Sequence, residues 1–209
     1  MEYNEKQLQI IEAAEKLFAL NGFDGTSVRD IAHEAGINIA MISYYFGSKE
    51  KLMEAVFQKR TIDAQTKIED LLQNEKLSPL QKVFSLIDDY VRKMTDNREF
   101  HKIMYREQML AKNSIISESI FELKMRNMSH IKRLINHGQE AGVFKKNIDV
   151  ALMMSTLTGT VTNLICAESF YKKIYNMEDK SDEVVHRYMQ KKLSHHLKTL
   201  FKATLTYEA

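Results

Sequence analysis

Cysteine occurs once in these 209 residues, proline once, tryptophan not at all and glycine seven times. Each scarcity excludes something. A lone Cys166 cannot close an intramolecular disulfide, so a disulfide-stapled fold is excluded and a reducing, cytoplasmic setting is expected. Because Cys166 sits in an apolar run with no basic neighbour, its thiol is expected to pack inside. So few breakers favour long helices over a sheet with many turns. Charge of one sign is also missing. The net charge is +2, and residues 1–60 carry seven Lys/Arg against nine Asp/Glu. Binding to nucleic acid would therefore depend on where the charges sit, not on their sum. Residues 150–167 form an uncharged stretch of membrane-spanning length. That stretch also holds Ser155, Thr156, Thr158, Gly159, Thr160, Thr162 and Asn163, which are costly in lipid, so a helix buried in protein is expected and no membrane partner. The opening Met1-Glu2-Tyr3-Asn4-Glu5 does not have the pattern of a signal peptide.

The residues of catalysis are present but scattered. The histidines, His33, His101, His130, His137, His186, His195 and His196, include no His-x-x-x-His pair, and with one cysteine no metal-ligand spacing exists. There is no glycine-rich phosphate loop and no nucleophile elbow. No catalytic residue, metal or cofactor is expected, and the chain does not read as an enzyme.

What is present is helical periodicity throughout, so an all-α fold is expected. Ile10, Ile11, Ala14, Leu17 and Phe18 make one apolar stripe over residues 6–21, ended by Gly22. Ser27 with Asp30 matches a capping box opening a second helix, which stops at Gly36. Asn38 caps a third, Ile39–Phe46, terminated by Gly47. Ser48 opens a long fourth helix to about Gln73. Further helices are expected at about 79–95, 98–111, 115–140, 149–175 and 182–205, with Gly138 and Gly142 bracketing the exit from the long 115–140 helix. The expected division is residues 1–47 as a three-helix head, with its motif at about 27–46, and residues 48–209 as a larger helical bundle.

The informative window is 26–51. A short helix, a tight glycine turn and a second short helix give the helix-turn-helix geometry, whose second helix enters the major groove with its N-terminal residues nearest the bases. No acid occurs from Ile37 to Ser48, so a slightly acidic head still presents a neutral-to-basic face where phosphates would lie. Tyr44 and Tyr45 are adjacent and diverge by about 100° on a helix. One can pack inward while the other faces DNA, and Tyr44 is the stronger candidate for DNA.

The segments Thr26-Ser27-Val28-Arg29-Asp30-Ile31-Ala32, Ala35-Gly36-Ile37 and Ile42-Ser43-Tyr44-Tyr45-Phe46-Gly47-Ser48-Lys49-Glu50-Lys51-Leu52 resemble the N-terminal domain of the TetR family of bacterial repressors. The likeness covers roughly residues 6–57. It implies that Thr26 or Ser27 holds a phosphate through hydroxyl and helix N-terminus, and that Arg29 reaches a base or phosphate. It also implies that Asn38, Ile39, Ala40 and Met41 form the groove-facing tip, that Ser43, Tyr44 and Tyr45 contact DNA, and that Lys49 pairs with a phosphate. Ile39, Met41 and Ser43 depart from the family's usual residues. An apolar Ile39-Ala40-Met41 tip points to thymine methyls, with Arg29 as the main hydrogen-bonding reader.

The long remainder is expected to dimerise and to sense. By the resemblance the last two helices and their symmetry mates form a four-helix interface. Ser155, Gly159 and Asn163 allow close helix approach there, with Tyr188, Leu193, Leu197 and Leu200 on the final helix. The middle helices hold Tyr90, Met94, Phe100, Met104, Tyr105, Met109, Phe121, Met125 and Met128. Methionine suits adaptable binding surfaces, and the family binds small effectors between these helices. The expected partners are thus double-stranded DNA at a palindromic operator, a second copy of the chain, and a small-molecule effector. The expected function is a repressor released by that effector. Activation in place of repression, or a helical protein-interaction module that uses the motif only for packing, are the competing readings.

Overall fold

Short polar caps set where each helix begins. The computed structural model describes residues 3–110 and 115–207; the side chains of residues 60–68, 99, 100, 104, 107, 108, 110, 115–117, 119, 120 and 123 lie outside that description. The described residues form ten helices and no strand: α1 Glu5–Asn21, α2 Val28–Glu34, α3 Ile39–Phe46, α4 Lys49–Gln73, α5 Pro79–Asp96, α6 Arg98–Leu110, α7 Ile115–Glu140, α8 Val150–Cys166, α9 Glu168–Ile174 and α10 Asp182–Leu205. Capping boxes open α1 (Asn4 with Gln7), α2 (Ser27 with Asp30) and α5 (Ser78 with Gln81, Pro79 at the first position). Gly22 and Gly47, with φ of 77° and 78°, supply the left-handed backbone that stops α1 and α3.

The chain divides into two compact units. The first comprises residues 1–66 and 99–124, the second 67–98 and 125–209. This division does not fall at the expected 47/48 boundary. The first half of α4 gives Leu52, Met53, Val56 and Phe57 to the core of the head, and α6 gives Ile103. They pack there with Ile10, Ile11 and Phe18 of α1, Ile31 of α2 and Ile42 and Phe46 of α3. Each such side chain, fully buried, contributes about 1.5–3 kcal/mol. This core fixes the angle at which α3 leaves the head.

The second core joins Val83, Ile87 and Val91 of α5, Leu134 and Ile135 of α7, Phe144, the α8 stripe Met153, Leu157, Val161 and Ile165, and Leu193, Leu197, Phe201 and Leu205 of α10. A satellite holds Met177, Val185 and Met189 beneath Tyr171, Tyr175 and Tyr188.

Two expectations are corrected here. The helix expected over 149–175 breaks at Ala167 into α8 and α9, which meet at 82°. No glycine or proline marks the bend; tertiary contacts hold it. Glu168 pairs with Arg98 and with Lys172, and the Tyr171 hydroxyl donates to Asn163 Oδ1 at 2.9 Å while its ring stacks on Tyr175. Cys166 is exposed, not packed inside. It follows Ile165, which fills the core, and shares the outward face of α8 with Leu152, Ser155, Gly159 and Asn163. Among the described residues no single helix is long and apolar enough to cross a membrane.

Candidate nucleic-acid interface

The recognition helix α3 is anchored from beneath and bare above. Ile42 and Phe46, four residues apart, are buried, and the stripe they form holds one face of α3 against the head. The opposite face carries Ala40, Ser43, Ile39 at 45% exposure and Tyr44 at 83%. Met41 is half-buried at the edge. Asn38 caps the helix, its Oδ1 accepting from Ala40 N at 2.9 Å. The two tyrosines diverge as their spacing requires. Tyr45 packs against the core, and Tyr44 meets it edge-on, with centroids 5.1 Å apart, and otherwise projects outward.

The α2 side is more restricted than the sequence suggests. Ser27 accepts from Asp30 N at 3.1 Å and donates to Asp30 Oδ2 at 2.6 Å. The hydroxyl bond to Oδ2, joined by one from Ser27 N to the same oxygen at 3.1 Å, holds the Asp30 carboxyl below its usual range. The sign for the cap follows. It is intact above the ordinary carboxylate pKa and is lost as pH falls through the lowered value. Arg29 is exposed beside it.

Two expected phosphate ligands are corrected. Thr26 is buried, and its hydroxyl donates to Gly22 O at 2.8 Å, just past the end of α1, and to Leu17 O in its last turns at 3.1 Å. Its side chain is thus spent inside the head. Lys49 is turned the same way. Its Nζ donates to Phe23 O at 2.9 Å and Thr26 O at 3.0 Å and lies 4.3 Å from the Phe23 ring centroid. The ammonium bolts the start of α4 to the α1–α2 loop. Lys49→Met is expected to cost the head about 2 kcal/mol, as charge-assisted bonds to carbonyls are lost. Thermal melting and DNA titrations at several salt concentrations check it. A log-log salt slope smaller by about one would instead restore the phosphate role.

Sequence reasoning missed Gln9. Its Nε2 donates to Ala35 O at 2.7 Å, fixing the end of α2 where the turn begins. It lies on the polar side of α1, and nothing in the local pattern distinguishes it from a solvated glutamine.

The other expected sites divide. Of the middle-helix set, Tyr90, Met94 and Met128 pack against the second core. Tyr105, Met109 and Phe121, in the first unit, and Met125, in the second, are exposed, and the side chains of Phe100 and Met104 lie outside the described residues. On the expected dimer surface, Ser155, Gly159, Asn163 and Leu200 are exposed and Tyr188 is half-buried. Leu193 and Leu197 are a correction. With Val185, Met189, Phe201 and Leu205 they form the every-fourth-residue stripe of α10 that fills the chain's own interior. Among the described residues, no cluster of three or more His, Cys, Asp or Glu could hold a metal.

A capped helix pair presenting an outward, acid-free second helix on an all-helical body defines a helix-turn-helix regulator. The comparisons agree. Residues 10–56 match the model of bacterial regulatory proteins of the TetR family, and residues 79–193 match that of the tetracyclin repressor-like C-terminal domain. The chain belongs to the TetR family of transcriptional regulators. It is 31% identical over 133 residues to the probable HTH-type transcriptional regulator YttP of Bacillus subtilis, spanning 63% of this chain and 64% of that protein, less than two thirds of either. It is 30% identical to the HTH-type transcriptional repressor NicS of Pseudomonas putida over 71% of each chain. Its fold is similar to that of the ketosteroid transcriptional regulator KstR2 of Mycobacterium tuberculosis, with a TM-score of 0.75 at 18% identity, covering 99% of this chain and 98% of that one.

Proposed function

We propose that this chain is a cytoplasmic, homodimeric repressor that leaves a palindromic operator when a small-molecule effector binds its helical body. Residues 1–47 read DNA and residues 48–209 sense and dimerise. The observation that carries the reading is α3: Ile42 and Phe46 hold it while Ile39, Ala40, Ser43 and Tyr44 face out with no acid among them. Two such helices placed roughly 34 Å apart by a two-fold axis fit successive major grooves on one side of a duplex. The outward face of α8, with Leu152, Ser155, Gly159 and Asn163, and Leu200 of α10 support a second copy as the dimer partner. The effector acts by binding more tightly to a dimer whose α3 helices no longer match adjacent grooves, since only differential affinity shifts such an equilibrium.

The test is selection from a random DNA library with the full-length chain, followed by footprinting. An inverted repeat with half-sites one helical turn or a multiple apart is expected. Recovery of no recurring repeat, with weak binding insensitive to salt, sinks the reading in favour of a protein-interaction module. Arg29→Ala is expected to relax preference at one base pair per half-site, with a loss of about 1–3 kcal/mol. Unchanged preference, measured by repeating the selection with the variant, makes Arg29 a backbone contact.

A further inference from the structure

The final helix meets α5 through a polar seam as well as through its apolar stripe. Gln190 Nε2 donates to Thr95 Oγ1 at 2.8 Å and to Asp96 Oδ1 at 2.9 Å. One turn on, Ser194 Oγ donates to Asp88 Oδ1, and one turn beyond that Lys198 Nζ donates to Asp88 Oδ2 at 2.5 Å. Residues 190, 194 and 198 are four apart and so share one edge of α10. Their partners fall in number on α5 as they rise on α10, so the two helices run antiparallel. Hydrogen bonds that cross between helices hold these side chains in place before any ligand arrives.

Along this seam α5 and α10 enclose a groove of about 370 Å³. The charges that line it are unequal. Arg92 of α5 and Lys191 and Lys198 of α10 face a single acid, Asp88. Asp89, outside the lining, pairs with one guanidinium nitrogen of Arg92, which leaves that planar fork with donors to spare. Lys198 likewise keeps two ammonium protons beside its bond to Asp88. Cations gathered in one concavity repel each other and raise the local concentration of anions.

The lining also decides against other occupants. Its one apolar residue is Val91, 2% exposed, so a hydrocarbon would find little surface to cover. A metal cation would need the Asp88 carboxylate, and both of its oxygens are engaged, by Ser194 and by Lys198. An uncharged molecule would leave three cations without a counter-charge.

We propose that this groove is a binding site for a phosphate monoester. Arg92, Lys191 and Lys198 hold the phosphate, and Gln190 and His195, which also line the groove, bond to the polar group that carries it. The lining is two charges positive, and a monoester, with its second pKa at about 6, is a dianion at neutral pH. The guanidinium fork matches two phosphate oxygens at once. The site stands apart from the repressor reading and does not depend on it. A ligand that bridges α5 and α10 binds only the folded second unit and so stabilises it.

The test uses the full-length protein at pH 7.5 and one low, constant ionic strength, because exposed charges are screened by salt. Four probes are titrated: glucose 6-phosphate, glucuronate, glucose and inorganic phosphate. Calorimetry gives the affinities, and the His195 ring protons, assigned by their loss in His195→Gln, report whether the groove is where the probe binds. Glucose 6-phosphate is expected to bind about tenfold more tightly than glucuronate or glucose, to shift the His195 signals and to raise the melting temperature. The double variant Arg92→Gln/Lys191→Gln, both at exposed positions, should lose at least tenfold in that affinity with its ligand-free melting temperature unchanged. Lys76→Gln, an exposed lysine before α5, should bind as the wild type does. Inorganic phosphate that binds as tightly as the sugar phosphate supports the anion site and assigns it to the free ion. Equal binding of glucose, glucuronate and glucose 6-phosphate overturns the proposal, as does binding that leaves the His195 signals unmoved. A loss in Lys76→Gln as large as in the double variant also overturns it, because the attraction would then be spread over the surface.

Discussion

Phe144→Ala is expected to cost about 4 kcal/mol, near the middle of the range for deleting a buried phenylalanine. That is a large share of a domain's usual 5–15 kcal/mol. Phe144 is 1% exposed and sits in the second core. Its position follows from the chain reversal after α7. Gly142, with φ of 70°, turns the backbone, and the Gly138 carbonyl accepts from both Val143 N at 2.9 Å and Phe144 N at 3.0 Å. That reversal lays the aromatic ring on the bare Cα of Gly138. A Cβ there would stand 2.8 Å from Phe144 Cγ and closer still to Cδ2 and Cε2.

Gly138→Ala therefore sets two effects against each other. Alanine gains about 1 kcal/mol of helix propensity over glycine. Forcing a methyl into a filled aromatic contact costs about 3 kcal/mol. The net expectation is a loss of about 2 kcal/mol, and the sign reverses once the ring is gone. In a Phe144→Ala background, Gly138→Ala should stabilise by about 1 kcal/mol. A double-mutant cycle from urea melts measures the coupling directly. Additive effects of the two substitutions would show that the ring does not depend on the glycine.

That pair also shows what the sequence could and could not reveal. Gly138 and Gly142 read as the exit from a long helix, and that is where α7 ends. Which ring the glycine accommodates depends on the reversal itself and is invisible in spacing. The same holds in the head. Capping residues announce themselves locally, so Ser27 with Asp30, Asn38 and Gly47 place α2 and α3 correctly. Thr26 and Lys49 read as phosphate ligands, because their hydroxyl and ammonium are drawn inward only by carbonyls of a loop that exists once the head has folded. In the body, apolar residues on α10 fit an interface and an interior equally well by pattern. Packing against α5 and α8 assigns Leu193 and Leu197 to the interior. The bend at Ala167 has no breaker residue to announce it, and one of the contacts that hold it, Arg98 with Glu168, joins residues distant in sequence.

Ile39→Glu is expected to lower operator affinity a hundredfold or more while leaving the melting temperature within a degree or two. Ile39 is 45% exposed at the first position of α3, so its replacement empties no core site. A glutamate there also suits the helix N-terminus, which favours negative charge by about 0.3–1 kcal/mol. Stability and binding should therefore move in opposite directions. The binding loss comes from a carboxylate carried into the field of two phosphate backbones, where its solvation is lost and no cation lies on the same face. Tyr44→Ala removes a side chain that touches little but Tyr45, and is expected to lose about 1–3 kcal/mol of binding, a tenfold to hundredfold change, again without a stability cost. Titration of a labelled operator at fixed salt, paired with thermal melting of each variant, separates the two readouts. If Ile39→Glu bound operator as the wild type does, the outward face of α3 would not be the surface that meets DNA.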